Sequence, residues 1–284
     1  MIFWIASYPK SGNTWLRALI SSYYYSEDGI FNQNIIQKIG QFPEKKHFEN
    51  FAYDKNILTG TTNYWIKAQE KINIDKKLRF FKTHNSFGAL NNNHFTDSKN
   101  SIGAIYIIRD PRNVITSLKN HYELSDDQAL KWMINKKNYI YEVDNFEKYG
   151  YGNFQFISSW SMNYKSWKVQ NKIPIKIVRY EDLLSETYVI FKDIIKFINK
   201  TTFNNEKINI DKLKNSVSST FFDKLKDDED KNGFLEAVVS KKNKKKIPFF
   251  YLGPKNDWKK ILTKKLQNEI SDVFKNEFNE LGYK

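Results

Sequence analysis

The hydrophobic and polar positions fall into short apolar runs that alternate with amphipathic stretches. Residues 2–8 form an apolar run that stops at Pro9 and predict a short buried strand. Behind it Trp15, Leu19 and Tyr23 recur at helical spacing, with Leu16 and Ile20 beside them, and predict a helix. Residues 78–83 (LRFFKT) predict a second strand, followed by an Asn-rich polar loop. The clearest strand signal is residues 101–109 (SIGAIYIIR), a run that ends at Asp110-Pro111 and is apolar enough to be covered on both faces. A helix starting near Asn113 carries Val114, Ile115 and Leu118. Further on, the pattern predicts a helix over 160–170, a strand over 173–178, and an amphipathic helix over 189–198 with Ile190, Ile194 and Phe197 on one side. A single long helix is expected over 258–278. Residues 28–63 show no period and read as irregular.

Strands alternating with helices predict βαβ units: an α/β fold of three layers, with a mostly parallel central sheet and helices on both faces. The 284 residues suit one large domain, 1–284, and no internal repeat divides them. With no cysteine, disulfides, thiolate chemistry and cysteine-based metal sites are excluded. No apolar run approaches the ~20 residues needed to cross a bilayer, and the N-terminus lacks the basic leader of a signal peptide. The four histidines, His47, His84, His94 and His121, are scattered without the spacing of a metal site, so no metal is expected. His47, His94 and His121 read as surface or capping residues.

A net charge of +14 has two readings. It attracts anionic ligands such as a nucleotide, an acidic glycan, nucleic acid or an acidic membrane. It also follows from a general richness in Lys, Asn and Ile, which is the better account of most of the surface. The run KKNKKK at 241–246 predicts a mobile loop.

Two segments carry the chemistry. In Ser7-Tyr8-Pro9-Lys10-Ser11-Gly12-Asn13-Thr14-Trp15 a strand ends, a tight loop turns and a helix begins. Backbone N–H groups and the helix dipole at such a junction favour an anion. Gly12 permits close approach of the backbone, Lys10 brings a mobile cation, and Ser11 and Thr14 bring hydroxyls. It is no Walker A loop, since G-x-x-x-x-G-K-[ST] is absent. In the second, Arg109-Asp110-Pro111-Arg112-Asn113-Val114-Ile115-Thr116-Ser117, a buried strand again ends in a cation. Arg109 has the fork to hold a phosphate, and Ser117 on the next helix offers a hydroxyl. Taken singly, Arg109 reads as a sheet-edge ion pair and Ser117 as a satisfied helix serine.

Taken together, YPKSGNTW and RDPRNVITS resemble the 5′-phosphosulfate loop and the 3′-phosphate element of the PAPS-dependent sulfotransferases (PAPS is 3′-phosphoadenosine 5′-phosphosulfate). Phe81-Lys82-Thr83-His84 resembles that family's KTH segment, and Arg179-Tyr180-Glu181-Asp182-Leu183 its YEDL segment. Gly253 with Asp257-Trp258-Lys259 resembles its tail motif KGxxGDWK, except that Tyr251 and Leu252 stand at the basic positions and Asn256 at the second glycine. The resemblance runs from about residue 2 to 260. It implies a P-loop-like fold, PAPS as donor, PAP (the desulfated nucleotide) as product, and no metal. It also implies residue roles: Lys10, Ser11, Gly12, Asn13 and Thr14 around the 5′-phosphosulfate; Arg109 and Ser117 on the 3′-phosphate; Trp15 on the adenine with Phe222, near Thr220; Tyr180 on the base. Gly253 and Lys255 belong to the tail contact, where Lys255, Lys259 or the lysine run substitutes for the lost basic residues, or the grip is looser. By the same resemblance His84 is the catalytic base, Lys10 neutralises the leaving oxygen, Lys82 steadies the sulfuryl group and Ser117 assists. An imidazole with its ordinary pKa of ~6.5 suits such a base near neutrality.

The implied activity is sulfuryl transfer to a hydroxyl or amine of a small-molecule or glycan acceptor; the aromatics and lysines of residues 28–63, 85–100 and 123–154 favour a carbohydrate over a steroid or phenol. The implied location is the cytoplasm. The rivals are a small-molecule kinase of related fold, a basic nucleic-acid-binding protein built on the lysine run with Phe249, Phe250 and Tyr251, and a degenerate family member that binds nucleotide without turnover. No nucleic-acid partner is expected.

Overall fold

In the computed structural model, which describes residues 1–240 and 243–283, the apolar runs become five parallel strands: β1 (Ile2–Ser7), β2 (Gly40–Gln41), β3 (Arg79–Thr83), β4 (Ser101–Ile108) and β5 (Ile175–Arg179). Their spatial order is β2-β3-β1-β4-β5. Successive side chains of a strand point to opposite faces, and both faces are covered. Phe3 and Ile5 of β1 and Ile105 and Ile107 of β4 pack against Leu16, Leu19 and Ile20 of α1 (Asn13–Tyr25). Ile2, Trp4, Ala104 and Tyr106 turn the other way, onto Trp160, Tyr164 and Trp167 of α3 (Trp160–Lys168). The amphipathic helix α4 (Thr187–Thr201) adds Phe191, Ile194 and Ile198 to the first layer. This is the three-layer α/β arrangement expected.

Three boundaries differ from the expectation. α2 (Pro111–Tyr122) starts at Pro111 rather than near Asn113, because Asp110 caps it by accepting from the Arg112 N–H and Pro111 has no N–H to satisfy. The long C-terminal helix is three pieces, Trp258–Ile261, Lys264–Val273 and Lys275–Leu281. Leu262 is extended, and the Thr263 hydroxyl accepts from the Leu266 N–H to cap a fresh helix. The irregular region 28–63 contains β2, whose two residues pair with Phe81 and Lys82 of β3. Of the lysine run, Lys241 and Lys242 lie outside the described residues; Lys246 is in a short strand, Lys246–Ile247, paired antiparallel with Val238–Val239.

The order places the topological switch beside β1: the chain goes to β3 on one side and returns to β4 on the other. Ligands of such sheets bind in the crevice at the carboxyl ends of the strands, at this point. The segments leaving β1, β3, β4 and β5 there each carry candidate residues: Lys10–Gly12, His84, Arg109 and Tyr180.

Candidate active site

The carboxyl ends of the strands open into a cavity of about 680 Å³. Its floor is the loop between β1 and α1. Lys10 and Gly12 both take positive φ, 65° and 98°. A Cβ on Gly12 would lie 2.5 Å from the Tyr180 ring, so the position tolerates only glycine. No side chain caps α1, which leaves its first N–H groups for an anion. The Ser11 hydroxyl is buried without a partner. Asn13 does not offer its side chain: Nδ2 donates to the Ile5 carbonyl (3.0 Å) and the Ser7 hydroxyl (3.2 Å), tying the loop to β1. Lys10 Nζ sits 4.1 Å over the Phe249 ring. Burial, with Lys82 and Arg109 nearby, brings its pKa down to about 7, against the opposing pull of Glu236.

His84 follows β3 and is held from three directions. Its N–H donates to Gln155 Oε1 (2.7 Å), its carbonyl accepts from Asn163 Nδ2 (3.0 Å), and its ring Nδ1 lies 2.8 Å from the Ser7 carbonyl. A carbonyl only accepts, so Nδ1 carries the proton and Nε2 is a bare lone pair. The pKa is not the ordinary one expected: burial first, then Lys82, push it down to about 3, despite the Ser7 hydrogen bond. His84 is therefore neutral at every physiological pH before an anion enters. Lys82 lines the cavity with it.

Lys82 also meets a residue that sequence reasoning missed. Glu236 accepts from Lys82 Nζ (3.3 Å), from Thr14 Oγ1 (2.8 Å) and from Arg17 Nη1. Burial would raise its pKa, but Lys82 and Arg17 outweigh this and hold it well below the carboxylate range. Arg17 is one turn along α1 from Asn13 and was legible as a cation on the loop-side face of the helix. Nothing in the sequence linked Glu236 to residues more than 150 positions away.

On the other side of β1, the Arg109 guanidinium stacks 4.2 Å from the Tyr180 ring, and its Nε is buried without a partner. Trp15 meets Tyr180 edge-on, 5.6 Å between ring centres, and its Nε1 is also unpartnered. The Glu181 carboxylate accepts from the Asp110 N–H (2.9 Å) and from the Tyr283 hydroxyl (3.1 Å), bracing the turn after β4. Ser117 lines the cavity, and its hydroxyl donates to the Asn113 carbonyl (3.1 Å).

The tail corrects some expectations. Gly253 and Phe222 line the cavity; Gly253 has φ 51°, and a Cβ there would lie 2.2 Å from the Phe222 ring. Thr220 does not face the cavity: it is fully buried and donates to the Ser216 carbonyl of its own helix (2.7 Å). Lys255, in the tight turn Gly253–Lys255, and Lys259, in the helix Trp258–Ile261, are both exposed and outside the wall. Asn256 faces in instead: Nδ2 donates to the Asn113 carbonyl (3.0 Å) and approaches the Ser117 hydroxyl (3.4 Å), while Oδ1 accepts from Thr116 (2.7 Å). His121 is no surface residue. It lines the cavity, with its pKa brought to about 3 by burial and by Lys10. His47 does cap, accepting from the Glu44 N–H (3.0 Å).

Among the described residues, then, one crevice gathers Lys10, Lys82, Arg109, an open helix start, a bare imidazole nitrogen and two unpartnered ring and guanidinium N–H groups. That donor set fits a nucleotide with anionic groups at two ends. The sulfotransferase domain matches residues 2–282. The chain belongs to the sulfotransferase family. Luciferin sulfotransferase of Photinus pyralis is 26% identical over 253 residues, 86% of this chain and 61% of that protein, so the chain spans less than two thirds of that relative. Sulfotransferase 1B1 of Mus musculus is 24% identical over 272 residues, 95% of this chain and 80% of that protein. The solved structure of mouse sulfotransferase SULT7A1 complexed with PAP shares the fold, with a TM-score of 0.56 at 18% identity over 98% of this chain and 83% of that one. The matched domain is a sulfotransferase domain and not a kinase domain. Among the described residues no helix is long and apolar enough to cross a membrane.

Proposed function

We propose that the chain transfers the sulfuryl group of PAPS to a hydroxyl of a small-molecule acceptor, with His84 as the base. The observation that carries this is the His84 ring: Nδ1 is committed to the Ser7 carbonyl, which leaves Nε2 free on the cavity wall beside Lys82. The 5′-phosphosulfate lies on the β1–α1 loop, between the first N–H groups of α1, Lys10 and Lys82. The 3′-phosphate lies on Arg109 and Ser117, with Asn256 in place of the missing basic residues. The base lies against Trp15, Phe222 and Tyr180.

Nε2 takes the proton of the acceptor hydroxyl as its oxygen bonds to sulfur. The bridging S–O bond breaks, and its electron pair leaves with the 5′-phosphate of PAP, beside Lys10. An amine acceptor loses its proton in the same way. The donor's negative charge enters a site that had held Lys10 and His84 at low pKa, so both become better proton holders once it is bound.

The acceptor chamber is walled by Tyr122, Trp132, Tyr139 and Tyr141, with Glu142, Asn153 and Gln155 among them. Flat rings beside a carboxylate and amides suit a carbohydrate, which stacks through its C–H face and hydrogen-bonds through its hydroxyls. We place the reaction in the cytoplasm, in keeping with relatives such as "Cytosolic sulfotransferase 9" of Arabidopsis thaliana. The test is PAP release from PAPS over a panel of sugars, phenols and sterols. Turnover is expected with at least one sugar, lowered ~10²–10⁴-fold in His84→Ala. Unchanged turnover in His84→Ala refutes the base; turnover only with phenols or sterols refutes the acceptor class.

A further inference from the structure

Glu236 has no place in the reaction just described, yet it lines the same cavity, against the start of α1 and the end of β3. Its carboxylate is bound by Thr14 at the start of α1, by Lys82 at the end of β3 and by Arg17 one turn into α1. Two of these, Thr14 and Lys82, line the cavity beside the β1–α1 loop, where an anion seated on that loop would also meet them. The segment carrying it is built to deliver it. Gly233, at φ 74°, ends the helix Phe222–Asn232, and Gln33 Nε2 donates to its carbonyl (2.7 Å). Phe234 then packs on Phe249 and Phe250, with ring centres 4.9 and 5.1 Å away. Phe249 is the ring beneath Lys10.

We propose that Glu236 is an internal occupant of the 5′ anion pocket, displaced when the donor binds, so that it lowers the affinity of nucleotides that carry a 5′ anion. The inference rests on the reading of this cavity as the donor site. One carboxylate carries one charge, whereas a phosphosulfate or a 5′-phosphate carries close to two. A ligand anchored at Arg109 through its 3′-phosphate holds its 5′ group at high local concentration and displaces Glu236. A ligand with a 5′ anion alone competes without that anchor. Affinity for any ligand that needs the pocket is therefore reduced by the fraction of molecules in which Glu236 has vacated it. A ligand that needs only the 3′ subsite is unaffected.

The experiment is calorimetric titration of the wild type, Glu236→Gln and Glu236→Asp with PAP and with adenosine 3′-monophosphate. The Asp variant keeps the charge, so a destabilising excess of cations in the Gln variant does not prevent the test; its shorter side chain no longer spans Arg17, Lys82 and Thr14. PAP is expected to bind ~10-fold tighter or more to both variants, and adenosine 3′-monophosphate within about twofold of wild type. Equal PAP affinity in all three proteins overturns the proposal, as does equal tightening of both nucleotides, which would be a general field effect. Weaker PAP binding in the variants also overturns it and makes Glu236 a part of the bound site. If PAP binds none of the three, the donor-site reading itself falls, and this one with it.

Discussion

Protonation of Lys10 should control donor affinity. In the free protein burial and the neighbouring Lys82 and Arg109 hold its pKa down to about 7. The 5′ anion of PAP is an added negative charge beside Nζ, so the pKa rises on binding and the complex takes up a proton. The sign follows: affinity is fully present below pH 7 and is lost as pH rises through 7 in the free protein. If the bound pKa returns towards ~10.5, the dissociation constant grows by the factor by which the free lysine deprotonates. Between pH 7 and pH 9 that factor is about 50, or ~2.3 kcal/mol. Phosphate protonation does not confuse the range, since the second phosphate pKa is ~6. The assay is calorimetric titration with PAP at pH 7, 8 and 9, in buffers of different ionisation enthalpy so that proton uptake is counted directly. Lys10→Arg, which stays charged, should bind PAP with a flat pH profile. An affinity constant across this range in the wild type, or a slope that persists in Lys10→Arg, would refute the argument.

Two further outcomes are expected. Arg109→Lys loses both the fork that holds a phosphate and the stacking on Tyr180, and should weaken PAP ~10- to 100-fold while leaving thermal stability within a few degrees; an unchanged PAP constant would remove Arg109 from the 3′ subsite. Gly253→Ala must clear the Phe222 ring from a left-handed backbone, so chemical denaturation should show a loss of ~1–3 kcal/mol and PAP should bind less tightly; wild-type stability would show that the tail turn is not rigid.

The layer architecture and most of the donor crevice were legible in the chain order. β1 and β4 are apolar on both faces, so each had to be buried in the sheet, and each ends in the motif that its carboxyl end presents: Lys10–Thr14 after one, Arg109 after the other. These are local facts. A strand, a turn with Gly12 and a helix start make an anion seat whatever surrounds them. Local patterning failed where a choice depended on a distant partner. The C-terminal helix kept its helical period through Leu262 and Thr263, but Thr263 caps a new helix there. Thr220 and Lys255 were expected beside the nucleotide, and packing turned one onto Ser216 and the other to solvent.

What only the tertiary structure decided is the electrostatic state of the site. The tautomer of His84 depends on the Ser7 carbonyl on the neighbouring strand, and the low pKa values of His84, Lys10 and His121 depend first on burial. Glu236 reaches Arg17 and Lys82 only because the chain after the helix Phe222–Asn232 folds back over α1 and β3. A sequence names the groups that titrate. Their desolvation and their neighbours are properties of the packed chain, and these set which groups are charged when the donor arrives.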